Sequence, residues 1–167
     1  LTLDLAFCVS ATPQHPPRLV GVDLDKGSTT IVSQPNASRA LSGVSPQRLA
    51  WRDPEGNAFT GVFFPAAPGT GGGKPPLFVT YYTCRGFALG GEGDEWPLRA
   101  LADKGIAALC INKTSVPTDK QDSVANYRVA LSGIRAIIGR LDGEGRIDAR
   151  RIGMGGLSFG SEVTMWV

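Results

Sequence analysis

The chain is 167 residues long, with 42% hydrophobic and 19% charged residues and a formal net charge of +2. That is enough chain for one ordinary domain or parts of two, and the composition is that of a packed globular protein rather than a disordered one. The longest basic run is Arg150-Arg151, so no nucleic-acid footprint stands out, and no apolar run approaches the length of a membrane span.

The chain opens at Leu1 without a start Met or a signal-peptide pattern and closes inside a helical pattern. A fragment of a longer protein is therefore expected. Three cysteines, Cys8, Cys84 and Cys110, are widely spaced and odd in number. That pattern argues against a disulfide framework and against a Cys-rich zinc site. It leans toward a reducing, cytoplasmic compartment, with a bacterial periplasm as the other placement.

Leu1–Phe7 alternates apolar and polar residues, as a strand does, and Pro13 to Pro17 breaks it. Arg18–Leu24 puts Val20, Val22 and Leu24 on one face and ends at the turn signal Asp25-Lys26-Gly27; Ser28–Val32 comes next, rich in β-branched residues. Period and turn chemistry together predict a hairpin. Pro35 to Pro46 reads as a connector. Gln47–Arg52 and Ala58–Phe64 flank Asp53-Pro54-Glu55-Gly56-Asn57 and predict a second hairpin. Pro65 to Pro76 is a Pro/Gly loop. Its Gly-Gly-Gly-Lys is not a phosphate loop, because Pro75 stands where Ser or Thr is required.

From Leu77 the pattern alternates. Leu77–Tyr82 predicts a buried strand, Glu95–Lys104 a short helix closed by Gly105, and Ile106–Ile111 another strand. Asp122–Leu141 predicts a long helix whose apolar positions Val124, Tyr127, Leu131, Ile134, Ile138 and Leu141 share a face, with Gly143 as its C-terminal cap. Arg151–Gly155 predicts a strand and Phe159 onward a helix. Strand–helix alternation specifies a parallel sheet with helices on both faces, and the preceding hairpin makes the sheet mixed. The fold class is therefore α/β. In such a sheet, reacting groups gather beyond the carboxyl ends of the strands, at the loops Thr83–Asp94, Asn112–Gln121 and Gly156–Ser158.

Gly156-Leu157-Ser158-Phe159-Gly160 is a G-x-S-x-G pentapeptide at a predicted strand-to-helix turn. That turn exposes one serine hydroxyl above the end of a sheet, and the glycines permit the crowded backbone. In a chain with 22 Gly the pentapeptide alone is weak; its place after several βα units gives it weight. Two other readings compete, a glycine-rich turn with an incidental serine and a dinucleotide site built on Gly153-x-Gly155. The dinucleotide fingerprint wants Gly or Ala at its sixth position, where Ser158 stands, and sits on a first βα unit rather than a third.

As a nucleophile, Ser158 needs a base and donors aimed at an oxyanion. The backbone N–H of Phe159 is one donor by geometry, and the second belongs to the loop after the Leu77–Tyr82 strand, where Tyr82 offers a hydroxyl. Tyr81 and Tyr82 lie on opposite faces of that strand, so only one reaches the site. In the loop beyond, Arg85 is a candidate substrate-binding residue, since a guanidinium grips a carboxylate with two parallel bonds. Glu92, Asp94 and Glu95 read as solvated loop or helix-cap charges. Cys84 has no companion histidine here and reads as a structural thiol. The only histidine, His15, lies before the first hairpin. Hydrolases with this elbow take their acid and then their histidine after the serine, so both partners are expected beyond Val167.

These segments carry a family resemblance. Gln47–Pro65, Pro76–Tyr82, Ile147–Gly153 and Gly156–Gly160 match, in order, segments of the catalytic domain of the prolyl oligopeptidase family of serine peptidases. The Arg18–Val32 hairpin is similar to the last part of that family's β-propeller. Tyr82-Thr83-Cys84-Arg85-Gly86-Phe87, with Gly90-Gly91-Glu92-Gly93-Asp94-Glu95 and Gly156 to Trp166, most resembles the lasso-peptide isopeptidases of proteobacteria. Those hydrolyse the amide between a peptide's N-terminus and an Asp or Glu side chain. Two departures from the family pattern are the longer Tyr82–Gly86 turn and Ser161 in place of a glycine.

The resemblance implies residues 1–45 as the end of a β-propeller and a linker. It implies residues 46–167 as the first part of an α/β-hydrolase domain, with Ser158 as nucleophile and Tyr82 as oxyanion tyrosine. It implies a peptide substrate, no nucleic-acid or membrane partner, and no metal or organic cofactor. An esterase or lipase-type hydrolase of the same fold, or a non-catalytic interaction module, are the alternative readings.

Overall fold

A computed structural model of the chain describes residues 4–38, 43, 45–69, 73–90, 96–114 and 123–167. The described strands form two sheets. Strands β1 (Leu5–Thr12), β2 (His15–Asp23) and β3 (Thr29–Ser33) make an antiparallel sheet in the order β1-β2-β3. Strands β4 (Gln47–Arg52), β5 (Ala58–Phe64), β6 (Leu77–Tyr82), β7 (Ala107–Asn112) and β8 (Ile152–Gly155) make a mixed sheet in the order β4-β5-β7-β6-β8.

In the first sheet the predicted β2–β3 hairpin forms as expected. The Asp23 carboxylate accepts the N–H groups of Asp25 and Lys26, and Gly27 takes φ 65°. The proline break, however, shrinks to a turn. Strand β2 begins at His15 and runs through Pro16 and Pro17. Two conditions allow it: the β1–β2 register shifts between Ser10 and Thr12, and β3 pairs with β2 only from Leu19 onward. Prolines are tolerated at bulges and on edges because no ladder donor is missed there. The outward side chains of β1, Leu5, Phe7 and Val9, are exposed.

In the second sheet β4, β5 and β6 match their predicted bounds, and β7 and β8 begin one residue later than expected. Strand β7 pairs antiparallel with β5 and parallel with β6, and β6 pairs parallel with β8. Alternation along these strands separates two apolar layers. Phe59, Phe63, Val79, Tyr81, Leu109 and Ile111 face one layer; Val62, Phe64, Phe78, Ala108 and Cys110 face the other. Helix α2 (Ser123–Gly143) and helix α3 (Phe159–Trp166) cover the first layer, and helix α1 (Leu98–Asp103) covers the second.

Helix α2 has the predicted period but a rotated face. Ala130, Ile134, Ile137 and Leu141 are buried, whereas Val124 is exposed. The reason is bulk on the sheet. Phe59 and Trp51 stack with centroids 5.6 Å apart and fill the space beneath the helix. Only small residues fit above them: a β-carbon on Gly133 would lie 2.3 Å from the Phe59 ring. The Trp51 indole N–H donates to the Gly133 carbonyl at 2.9 Å, which ties the helix backbone to the sheet. The predicted cap also moves. Gly143 remains helical and Gly145, at φ 75°, takes the left-handed position, its N–H bonding to the Asp142 carbonyl.

The segment entering β8 is tied to the start of β6. The Asp148 N–H bonds to the Pro75 carbonyl and the Leu77 N–H to the Arg151 carbonyl. The Asp148 carboxylate accepts the Arg150 N–H and the side chains of Arg150 and Arg151. Those bonds, led by the Arg150 backbone N–H, hold its pKa down at about 2. Lys74, the lysine of the rejected phosphate loop, is instead bonded to Asp142.

Gly133→Ala overpacks the α2–sheet contact and should cost roughly 1–3 kcal/mol in denaturant unfolding. Because the folded pKa of Asp148 is depressed, its contribution to stability is present above the ordinary carboxylate range and is lost as pH falls toward about 2. The stability difference between wild type and Asp148→Asn should be constant near neutrality and should vanish across that acid range in pH-dependent thermal melts.

Candidate active site

Strand β8 ends at Gly155, directly beside Thr80 of β6. The chain then turns sharply through Gly156 and Leu157 into α3. At the apex Ser158 adopts φ 53°, ψ −130°, a backbone state that non-glycine residues rarely hold. Its carbonyl accepts the Ser161 N–H at 2.8 Å and the Ser161 hydroxyl at 2.6 Å. Ser158 is exposed. The strand, strained serine and helix occur in the order the pentapeptide requires.

Both flanking glycines are required by contact. A β-carbon on Gly156 would lie 2.1 Å from the Gly160 backbone, and one on Gly160 would lie 2.1 Å from the Tyr81 carbonyl oxygen. The elbow is therefore pressed onto the carboxyl end of β6. Gly155 is closed in too, by the Trp96 and Phe78 rings. At the start of α3 the N–H groups of Gly160, Ser161 and Glu162 bond back to the Leu157 and Ser158 carbonyls, and the Phe159 N–H is the first donor of the helix.

The Phe159 ring anchors this start. It lies 5.7 Å from the Tyr127 ring and 6.2 Å from each of the Tyr81 and Tyr82 rings. The Lys113 ammonium sits 4.2 Å from its centroid. Tyr127 also donates its hydroxyl to Glu162 of α3 at 2.6 Å.

The two tyrosines differ in burial, although both rings border Phe159 rather than lying apart on opposite faces. Tyr81 is buried in the α2/α3 layer, and burial pushes its hydroxyl pKa up to about 12, with the Thr114 backbone N–H pulling the other way. Tyr82 is half-buried at the strand end and holds φ 147°, outside the usual range for a side-chain-bearing residue. Its carbonyl accepts the Lys113 N–H at 2.7 Å. Both tyrosines border the elbow, Tyr81 through its carbonyl and Tyr82 through its side chain, each facing Gly160.

The reading of the cysteines is overturned. Cys84 and Cys110 form a disulfide, with Cα atoms 5.6 Å apart. Among the described residues Cys8 is the free thiol. Parallel pairing explains the bridge: Tyr82 lies opposite Asn112, so the chain two residues past Tyr82 folds back onto Cys110. Spacing along the sequence hides this, because 26 residues separate the two. With it goes the basis for preferring a reducing compartment. No described helix is long and apolar enough to cross a membrane.

Arg85 is exposed on the same loop and bonds the Thr83 hydroxyl at 3.4 Å. Glu92, Asp94 and Glu95 lie outside the described residues. His15 is the first residue of β2, with its Nδ1 3.1 Å from the Thr12 hydroxyl. A buried residue that the sequence did not single out is Arg99 of α1. It packs 4.4 Å from the Phe87 centroid and donates to the Pro13 carbonyl of the β1–β2 turn. That bond joins the first sheet to the second. A small apolar pocket opens beside it, lined by Pro13, Thr80, Cys84, Arg85 and Trp96, and Ser158 is not among its walls.

In fold the chain is similar to about a quarter of the length of prolyl oligopeptidase family peptidases. Acylaminoacyl peptidase of Pyrococcus horikoshii superposes with a TM-score of 0.70 at 17% identity, over 98% of this chain and 27% of that one. A puromycin hydrolase superposes with 0.69 at 15% identity, over 99% and 27%. Within that fold the chain is homologous to the lasso peptide isopeptidase AtxE2 of Asticcacaulis excentricus, being 30% identical over 170 residues, 93% of this chain. The apo structure of AtxE2 superposes with a TM-score of 0.78 at 26% identity, over 98% of this chain and 27% of that one. The chain spans 24% of the length of that curated relative. No protein-family model matches it.

Gly160→Ala cannot be accommodated by a side-chain shift, because the obstacle is the Tyr81 backbone. The substitution should lower stability by more than ~2 kcal/mol in thermal or denaturant unfolding, whereas Ser161→Gly, which removes only a local bond, should cost less than about 1.5 kcal/mol.

Proposed function

We propose that this chain is part of a serine hydrolase that cleaves peptide or isopeptide amides through an acyl-enzyme on Ser158. The observation that carries the reading is the strained, exposed Ser158 at a strand-to-helix turn, seated against the tyrosine-bearing end of β6. Strain of this kind persists where the surroundings over-determine it, and it clusters at reacting groups.

In this reading the five-stranded sheet and its helices are the first part of an α/β-hydrolase domain, residues 46–167. The three-stranded sheet within residues 1–45 is the end of a β-propeller. The Ser158 Oγ attacks the amide carbonyl carbon and gives up its proton to a histidine base. The tetrahedral oxyanion is held by the Phe159 N–H and the Tyr82 hydroxyl. Collapse breaks the C–N bond, the amine leaves with the proton, and water then hydrolyses the Ser158 ester to a carboxylate. The motif order places the histidine and its orienting carboxylate after Ser158 in sequence; His15 precedes it and is held at the start of β2.

Homology to AtxE2 supports the isopeptide as substrate: an amide between a peptide N-terminus and an acidic side chain. An AtxE2 variant has been solved with Astexin3-dC4 bound. Arg85, on the loop after Tyr82, is the proposed contact for a substrate carboxylate.

The test uses the full-length protein. A fluorophosphonate probe should label Ser158, and a lasso peptide should gain the mass of one water. Ser158→Ala should abolish labelling and lower kcat by roughly 10⁴-fold or more. Tyr82→Phe should lower kcat by ~10²-fold with little change in KM, as loss of one oxyanion donor does. Hydrolysis of simple esters with no action on a lasso peptide would assign the esterase reading instead.

A further inference from the structure

Tyr82 is the last residue of β6, and the chain beyond it leaves the sheet. Its φ of 147° is a state that the chain does not hold unaided. Three ties hold Tyr82 and Cys84 to the β7 side. The Cys84–Cys110 disulfide fastens the loop to the body of β7. The Asn112 side-chain oxygen accepts the Cys84 N–H at 2.8 Å, and its amide donates to the Thr60 hydroxyl at 3.1 Å. The Lys113 N–H donates to the Tyr82 carbonyl at 2.7 Å. Asn112 lies opposite Tyr82 in the parallel register, so one tie holds Tyr82 itself and two hold Cys84, two residues on, all from the β7 side. The elbow closes its other side, where Gly160 approaches the Tyr82 side chain.

We propose that the Cys84–Cys110 disulfide and Asn112 are positioning elements for the Tyr82 hydroxyl, so that oxyanion stabilisation depends on this disulfide being formed. The inference rests on the reading of Ser158 as nucleophile and Tyr82 as oxyanion donor. Neither Cys84, Cys110 nor Asn112 touches the reacting atoms. They act by fixing the backbone from which the tyrosine projects. A donor displaced by about 1 Å loses much of its effect on a transition state while leaving substrate binding nearly intact.

The experiment is a kinetic cycle in the full-length protein, with kcat and KM measured on a peptide amide substrate. Peptide mapping of the non-reduced wild type should recover Cys84 and Cys110 as a linked pair. The Cys84→Ala/Cys110→Ala variant should lose about tenfold or more in kcat with KM within about twofold. Added to Tyr82→Phe, the same pair of changes should cost nothing further, because there is no hydroxyl left to position. Asn112→Ala should lose several-fold in kcat, and Asn112→Asp, which keeps the acceptor for the Cys84 N–H, should recover most of it.

The inference is overturned by alkylation of Cys84 and Cys110 as free thiols in the native protein. Full kcat without the bridge, or a loss that multiplies with that of Tyr82→Phe, would also overturn it. Should the cysteine variant fail to fold, the Asn112 pair decides alone, and equal kcat for Asn112→Ala and Asn112→Asp counts against the clamp. Fluorophosphonate labelling separates the two levels: an unlabelled Ser158 in the wild type removes the hydrolase reading itself, whereas normal labelling with kcat indifferent to the bridge removes only the clamp.

Discussion

One close approach governs the arrangement: the backbone of Gly160 lies against the Tyr81 carbonyl with no room for a β-carbon between them. It sets how far α3 sits above the sheet and therefore how sharply the chain turns between β8 and α3. A wider separation would let the turn relax, and Ser158 would have no reason to keep φ 53°. Gly156 provides the second contact of the same kind, against the Gly160 backbone itself. Together the two glycines turn a pentapeptide into a fixed geometry.

The contact works only because β8 is in register with β6. Leu77 to Thr80 pair with Ile152 to Gly155, so the elbow begins two residues short of the end of β6 and folds over Tyr81 and Tyr82. The register is tied at its start by the bonds from Pro75 and Leu77 to Asp148 and Arg151. At the other end the Phe159 ring is held among Tyr81, Tyr82 and Tyr127. Aromatic packing thus orients the start of the helix.

Most of the second sheet was legible from pattern. Strands β4, β5 and β6 carry continuous or alternating apolar runs bounded by strong turn signals, and buried parallel strands read as such. The elbow was legible because it is local: Gly-x-Ser-x-Gly at a strand-to-helix boundary states its own geometry. The face of α2 was not. Its period is intrinsic, but its phase depends on the rings of Phe59 and Trp51, which lie on strands far away in sequence. The prolines of β2 misled for a related reason. Whether a missing N–H matters depends on which neighbour strand is present at that position, and only the pairing shows it.

The amino-acid sequence by itself determined the order of strands and helices and the position of the elbow. These rest on period, turn chemistry and the special freedom of glycine, all of which act within a few residues. Tertiary structure alone decided the Cys84–Cys110 bridge, the Asn112 bond to Cys84 and the Arg99 bond to Pro13. Each joins residues separated by between 26 and 86 positions. Such pairs meet only after β6 and β7 have aligned and α1 has docked, because their geometry is set by register and packing rather than by local preference. The same distinction applies to the elbow: its glycines announce the turn, and the Tyr81 backbone pressed against one of them makes that turn rigid.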